Sequence, residues 1–170
     1  MNKVIFLDRD GTINVDYGYV HKLTDLVFMK NAIEGLKLMT KMGYMLIVVT
    51  NQSGIGRKMY TIDEYNKFNK YFIDKLLEAG IKITNVYFCP HTEEDNCDCR
   101  KPKIGLYKKA IEEYNPDLNK SYVIGDRERD LSICEYTSIE GIIIGSKNDK
   151  YIFANDLLDA AKYIQQCSKE

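Results

Sequence analysis

Short apolar runs alternate with longer amphipathic stretches along nearly all of this chain, and that order restricts its fold more than any other feature. Val4-Ile5-Phe6-Leu7 reads as a buried strand ending at Asp8, and Tyr44 to Val49 as a second that runs into Thr50-Asn51-Gln52-Ser53-Gly54. A third strand is expected over Ile81 to Phe88, a fourth over Ser121 to Ile124 leading into Gly125-Asp126, and a fifth over Gly141 to Ile144. Helical patterns lie between them. Asn31 and Glu34 read as the cap pair of a helix stopped by Gly43, and Thr61 and Glu64 as that of a helix reaching Ala79 and ended by Gly80. Further helices are expected over Gly105 to Tyr114, before Asn115-Pro116, over Arg129 to Tyr136, and over Ala154 to Gln165. Such alternation builds right-handed crossovers and an α/β fold, a doubly wound parallel sheet covered on both faces. With 170 residues, a single domain over residues 1–170 is expected, without internal repeat or linker.

Charge narrows the partners. The 24 basic and 25 acidic residues nearly cancel, so nothing in the balance argues for nucleic acid or a membrane surface as partner. No apolar run approaches the roughly 20 residues that span a bilayer. Met1 to Leu7 is too short for a signal peptide and leads straight into acidic residues. A cytoplasmic monomer acting on a small molecule is the expectation.

In open parallel sheets, ligands bind beyond the carboxyl ends of the strands. The polar clusters of this chain fall there: Asp8 and Asp10 after the first strand, Thr50 and Asn51 after the second, Asp126 after the fourth. Carboxylates gathered at one edge raise each other's pKa unless a cation compensates them. A hard oxygen site of this kind suits Mg2+, which keeps several waters and binds substrate phosphate.

Five cysteines are present, and Cys89-Pro90-His91-x5-Cys97-Asp98-Cys99 gathers three of them with one imidazole. Those four ligands match a closed tetrahedral structural Zn2+ site. Arg100-Lys101 follows directly, so ordering the loop would also place a guanidinium and an ammonium beside the acidic edge. Cys134 and Cys167 read as ordinary thiols on helices.

Asp8-x-Asp10-Gly11-Thr12, the strand ending at Thr50, Lys101 and Gly125-Asp126-x3-Asp130 resemble, in order, the four motifs of the haloacid dehalogenase superfamily. The resemblance implies a Rossmann-like phosphatase with Asp8 as nucleophile and Asp10 as general acid and base. Thr50 and Lys101 would hold the phosphoryl oxygens. Mg2+ would be held by Asp8, the Asp10 main-chain carbonyl and Asp126, with Asp130 orienting the metal shell or the Lys101 ammonium. The cysteine loop is similar to that of a zinc-containing branch holding heptose-bisphosphate and histidinol-phosphate phosphatases, which lack a large cap domain. No inserted domain fits between the motifs here either.

Asp8 to His21 and Val49 to Arg57 resemble the heptose branch. There Asp16, Tyr17, Gly18, Tyr19, Thr50, Asn51, Gln52 and Ser53 would line a phosphorylated sugar, and Arg100, Lys101 and Arg127 would grasp phosphate. The implied activity is removal of the 7-phosphate of a D-glycero-D-manno-heptose 1,7-bisphosphate, in nucleotide-heptose synthesis for envelope lipopolysaccharide or surface polysaccharide. The five-residue gap between His91 and Cys97 is shared with the histidinol-phosphate branch, which stays as the alternative. Ile104 replaces the proline common in the heptose branch, and Arg127 its usual lysine.

Overall fold

The structure, a computed structural model, describes residues 1–168; Lys169 and Glu170, the end of the expected domain, lie outside the described residues. Six strands follow one another in the chain: β1 (Val4–Leu7), β2 (Met45–Asn51), β3 (Asn85–Cys89), β4 (Tyr122–Gly125), β5 (Glu140–Ile144) and β6 (Ile152–Ala154). They form one sheet in the order β3-β2-β1-β4-β5-β6, with every pairing parallel. From β1 the chain moves outward through β2 to β3, then returns to the other side of β1 with β4. The β1/β4 boundary is therefore the point where successive connections leave in opposite directions, and a crevice opens there at the carboxyl ends of the strands.

Five α-helices form among the described residues: α1 (Ala32–Lys41), α2 (Ser53–Gly56), α3 (Ile62–Glu78), α4 (Gly105–Tyr114) and α5 (Leu157–Cys167). Successive strand side chains point to opposite faces, and the core divides accordingly. Ile5, Leu7, Leu46, Val48 and Ile124 meet Leu36 and Met39 of α1, Phe68 and Phe72 of α3 and Ile164 of α5. On the other face Val4, Phe6, Ile47, Val49 and Val123 meet Leu106, Tyr107 and Ala110 of α4. Phe6 and Tyr107 meet edge to face at 5.3 Å between centroids, a favoured arrangement for buried rings.

The Thr61–Glu64 capping box forms as the spacing predicts. Asn31 does not cap α1 with its side chain. Its amide instead donates to Asp156 Oδ2 at 2.8 Å, while Asp156 Oδ1 accepts from Asp159 N and caps α5. One carboxylate thus ties the starts of two adjacent helices.

Three other elements depart from the sequence reading. Ile81 and Ile83 are buried at a period of two, as in a strand, yet the ladder with β2 begins only at Asn85. The expected helix near Arg129 is a 3₁₀ run, Glu128–Glu135. Strand β6 and the single turn of α2 were not anticipated, and the last helix starts at Leu157 rather than Ala154. Among the described residues, strands and helices alternate without an inserted domain.

Candidate active site

Asp8 follows the last residue of β1, and its backbone N–H donates to Ile124 O of β4 at 3.0 Å, which fixes it at the switch point. Asp126 follows β4 directly. Oxygens of Asp8, Asp126 and Asp130 all lie within 4.8 Å of one another. Two glycines allow this approach. Gly11 has φ +84°, and a Cβ there would sit 2.4 Å from Asp126 Oδ2; a Cβ on Gly125 would sit 2.4 Å from that of Asp130.

Lys101, 2% exposed, reaches into this group from the loop before α4. Its ammonium donates to Asp8 Oδ1 at 3.0 Å and Val49 O at 2.7 Å, and lies 2.7 Å from Asp130 Oδ1. Three acceptors match its three donors. Burial opposes the Lys101 charge, but the carboxylates of Asp130 and Asp8 outweigh it and hold the ammonium above the ordinary lysine range. Burial, reinforced by the Asp130 charge and opposed by Lys101, pushes the Asp8 carboxyl well up. Burial and then Asp130 do the same to Asp126. One ammonium cannot offset three clustered carboxylates, and the residual negative charge fits a divalent cation. Asp130 already gives its second oxygen to Arg127 N at 3.1 Å, so Asp8 and Asp126 are the carboxylates with capacity left for a metal.

Asp10 stands beside this cluster and is held from several directions. Its Oδ1 accepts from Arg9 Nε and Nη2 and from Asn14 Nδ2 at 2.9–3.2 Å, and its Oδ2 accepts from Gln52 Nε2 at 3.1 Å. Arg9 is fully buried, with its guanidinium over the Phe68 ring and Nη2 on Val20 O. Neither Arg9 nor Asn14 stood out in the sequence. A guanidinium following a run of four core residues is the signal that could have marked Arg9.

The remaining expected residues divide. Asp16, Gly18, Tyr19, Asn51, Gln52, Ser53, Arg100, Lys101 and Arg127 line one cavity of about 320 Å3 together with Asp8, Asp10 and Asp126. Thr50 is buried beneath it, where its hydroxyl accepts from Gln52 Nε2 at 2.9 Å. Tyr17, 62% exposed, lies outside the lining; Asp16 Oδ1 closes a turn on Gly18 N at 2.8 Å and carries the intervening ring outward. Asn51 is occupied by the backbone of Lys101: it accepts from Lys101 N at 3.0 Å and donates to Lys101 O at 3.2 Å. Arg57, Tyr60, Glu93 and Arg129 also line the cavity and were missed. They come from helix and loop positions with no distinguishing pattern in the sequence.

Beside the cavity, Cys89, His91, Cys97 and Cys99 bring their ligand atoms within 4.8 Å of one another. The contacts His91 Nδ1–Cys99 Sγ, Cys89 Sγ–His91 Nδ1 and Cys89 Sγ–Cys97 Sγ are 3.2, 3.4 and 3.6 Å. A tetrahedron with metal–sulfur bonds of about 2.3 Å has edges of about 3.8 Å; Cys99 Sγ–Cys89 Sγ is tighter, at 2.9 Å, and the four donors are of the kind that could hold a metal. Burial acts against ionisation of Cys97, but the N–H groups of Cys99 and Arg100 prevail and bring its thiol down to about 6.

Solved structures share this architecture. The crystal structure of D,D-heptose 1,7-bisphosphate phosphatase from B. bronchiseptica, complexed with magnesium and phosphate, superposes with a TM-score of 0.87 at 24% identity, covering 96% of this chain and 98% of that one. A putative HAD-like phosphatase from Mesorhizobium loti superposes at 0.83 with 26% identity, covering 96% and 87%. The fold is that of the haloacid dehalogenase-type phosphatases. Sequence comparison is more specific: a family model described as polynucleotide kinase 3 phosphatase matches residues 3–138. D-glycero-beta-D-manno-heptose-1,7-bisphosphate 7-phosphatase of Helicobacter pylori strain J99 is 40% identical over 165 residues, 96% of this chain and 91% of that relative. The Haemophilus influenzae protein of the same name is 44% identical over 137 residues, 77% and 74% of the two chains. The chain belongs to this family of haloacid dehalogenase-type phosphatases.

Proposed function

We propose that this chain is a cytoplasmic, monomeric, single-domain enzyme that removes the 7-phosphate of D-glycero-D-manno-heptose 1,7-bisphosphate through an aspartyl-phosphate on Asp8. The observation that carries the proposal is the site at the switch point, where Asp8 meets Lys101 and Asp126 beside a separately held Asp10. The names of the relatives support the substrate.

In the first step an oxygen of Asp8 bonds to phosphorus as the bond from phosphorus to the sugar oxygen breaks, and Asp10 gives that oxygen its proton. In the second, water attacks phosphorus, Asp10 takes the proton released, and the phosphorus–Asp8 bond breaks to free phosphate and restore the carboxylate. Thr50 and Lys101 would hold the phosphoryl oxygens, Lys101 by passing to them the donor it gives Asp8 Oδ1 in the free enzyme; positioning and electrostatics supply most of the catalysis in such transfers. Mg2+ would be held by Asp8, the Asp10 main-chain carbonyl and Asp126, and would offset the repulsion between anionic nucleophile and anionic ester.

Zn2+ would occupy the Cys89-His91-Cys97-Cys99 cluster and hold the approach to Arg100 and Lys101. Arg100 and Arg127, with Asp16, Gly18, Tyr19 and Ser53, would take the distal part of the sugar. Tyr17 would join them only if its turn rotates.

Steady-state kinetics with the heptose 1,7-bisphosphate and with histidinol phosphate tests the reading. A kcat/KM at least about tenfold higher for the heptose is expected. A preference for histidinol phosphate would overturn the substrate, and no phosphate release from either with Mg2+ present would overturn the enzyme.

A further inference from the structure

We infer that Tyr60 is a positioning residue for proton transfer: it fixes the direction of the Gln52 side-chain amide and thereby keeps Oδ2 of Asp10 the oxygen that carries the proton. This rests on the reading of Asp10 as general acid and base.

Asp10 Oδ1 accepts three N–H donors, two from Arg9 and one from Asn14. An oxygen so supplied with hydrogens has no room to carry another. Oδ2 accepts only Gln52 Nε2 among the described residues, which leaves it the oxygen able to take and give a proton.

Gln52 spends both amide hydrogens, one on Asp10 Oδ2 and one on Thr50 Oγ1 at 2.9 Å, and its Oε1 accepts from Tyr60 OH at 2.5 Å. It therefore has no amide hydrogen left for a sugar hydroxyl. If the amide were reversed, Oε1 would face Asp10. A protonated Asp10 would then donate to that oxygen instead of to the leaving group.

Tyr60 opposes the reversal. It is 4% exposed, and Gln52 Oε1 is its hydroxyl's one acceptor among the described residues, so reversal leaves a buried O–H without an acceptor. The Tyr60 ring is fixed as well, stacked on His21 at 4.5 Å with 13° between planes, and against Gly54, where a Cβ would sit 2.1 Å from it. Burial pushes the phenol up to about 12, so the hydroxyl keeps its hydrogen at neutral pH.

The test is the dependence on leaving group in Tyr60→Phe, which keeps the ring and removes only the hydroxyl. The C7 oxygen of the heptose leaves as a primary alkoxide and needs a proton; 4-nitrophenolate does not. With kcat/KM reporting transfer onto Asp8, Tyr60→Phe should lose roughly tenfold on heptose 1,7-bisphosphate and less than about twofold on 4-nitrophenyl phosphate. Histidinol phosphate, also a primary alkyl ester, serves in place of the heptose if it proves to be the substrate.

On the heptose, Gln52→Leu should lose at least as much as Tyr60→Phe, and the double variant should lose no more than Gln52→Leu alone. Equal losses of Tyr60→Phe on both esters, no loss, or additive losses in the double variant would overturn the inference. Asp10→Asn separates this outcome from failure of the underlying reading. Near-normal turnover in that variant removes Asp10 as acid, whereas an inactive variant alongside an unselective Tyr60→Phe defeats only the role of Tyr60.

Discussion

The carboxylate edge and the cysteine loop lie side by side and are built on opposite terms. Asp8 and Asp126 are placed by strands whose residues are almost wholly buried, and two glycines with no space for a Cβ set how closely they approach. The Cys89–Cys99 loop leaves the sheet at the end of β3 and stays largely half-exposed or exposed, with Glu93, Glu94 and Asp95 in a short 3₁₀ turn. Cys97 and Cys99 still pack against the core cluster that contains α4, so the loop is not wholly without apolar support. The edge is ordered by the scaffold and its own buried ammonium. The loop relies on its four Cys and His side chains and a few ties: Gln52 N to Cys89 O at 2.7 Å, Gly56 N to Pro90 O at 2.9 Å and Gly105 N to Asp98 O at 3.0 Å. A preformed carboxylate edge and a dependent cysteine loop should therefore fail in different ways.

The largest effect is expected at the edge. Asp8→Asn keeps the size of the side chain and removes the proposed nucleophile, and should lower kcat by about 10⁴-fold or more. The Cys/His cluster should still take up metal, which elemental analysis of the purified variant would check. Retained phosphate release by Asp8→Asn would remove Asp8 from the reaction altogether.

Lys101→Met comes next, because it acts on stability as well as turnover. It leaves Asp8 and Asp130 facing each other without the ammonium that now joins them. Breaking a buried pair by removing one partner costs about 3–5 kcal/mol, and urea unfolding without added Mg2+ should show a loss of that order. Mg2+ should restore more stability to the variant than it adds to the native protein, since it replaces part of the missing positive charge. A variant as stable as the native chain would mean that Lys101 is not what balances the edge.

The same contrast explains what could be read from residues alone. Asp8, Thr50 and Asp126 sit at strand ends, and strand ends follow from apolar runs, so their convergence was visible before any coordinates. Lys101 was placed near the edge by its position after the cysteine loop, and its role came through resemblance; nothing in Arg100-Lys101-Pro102 says that the ammonium turns inward. Arg9 and Asn14 were invisible as partners of Asp10, and Tyr60 as a partner of Gln52, because a hydrogen-bonded network depends on which chain segments meet. Ile81 and Ile83 misled for a related reason: alternating burial is also produced by a loop that plugs a core, and only ladder pairing makes a strand. In Glu128–Glu135 a tertiary tie, the Asp130 carboxylate between Lys101 and Arg127 N, accompanies a 3₁₀ run where local pattern suggested an α-helix.

Metal removal from the loop sharpens the comparison most finely. After chelation, removal of the chelator and restoration of Mg2+, the carboxylate edge should be intact, because Lys101 is held by Asp8, Asp130, Val49 and Asn51 rather than by the loop alone. Arg100 has fewer ties; among the described residues its one ion pair, at 3.2 Å, is to the exposed Glu93, and such pairs contribute little in water. The distal end of the substrate should then be gripped less well while the reacting end is not. We expect KM to rise about three- to tenfold with kcat within about twofold and the far-ultraviolet circular dichroism of the sheet unchanged. A fall in kcat equal to the rise in KM would mean that the loop positions Lys101 after all. Finding no zinc in the purified protein would show that the cluster orders itself without it.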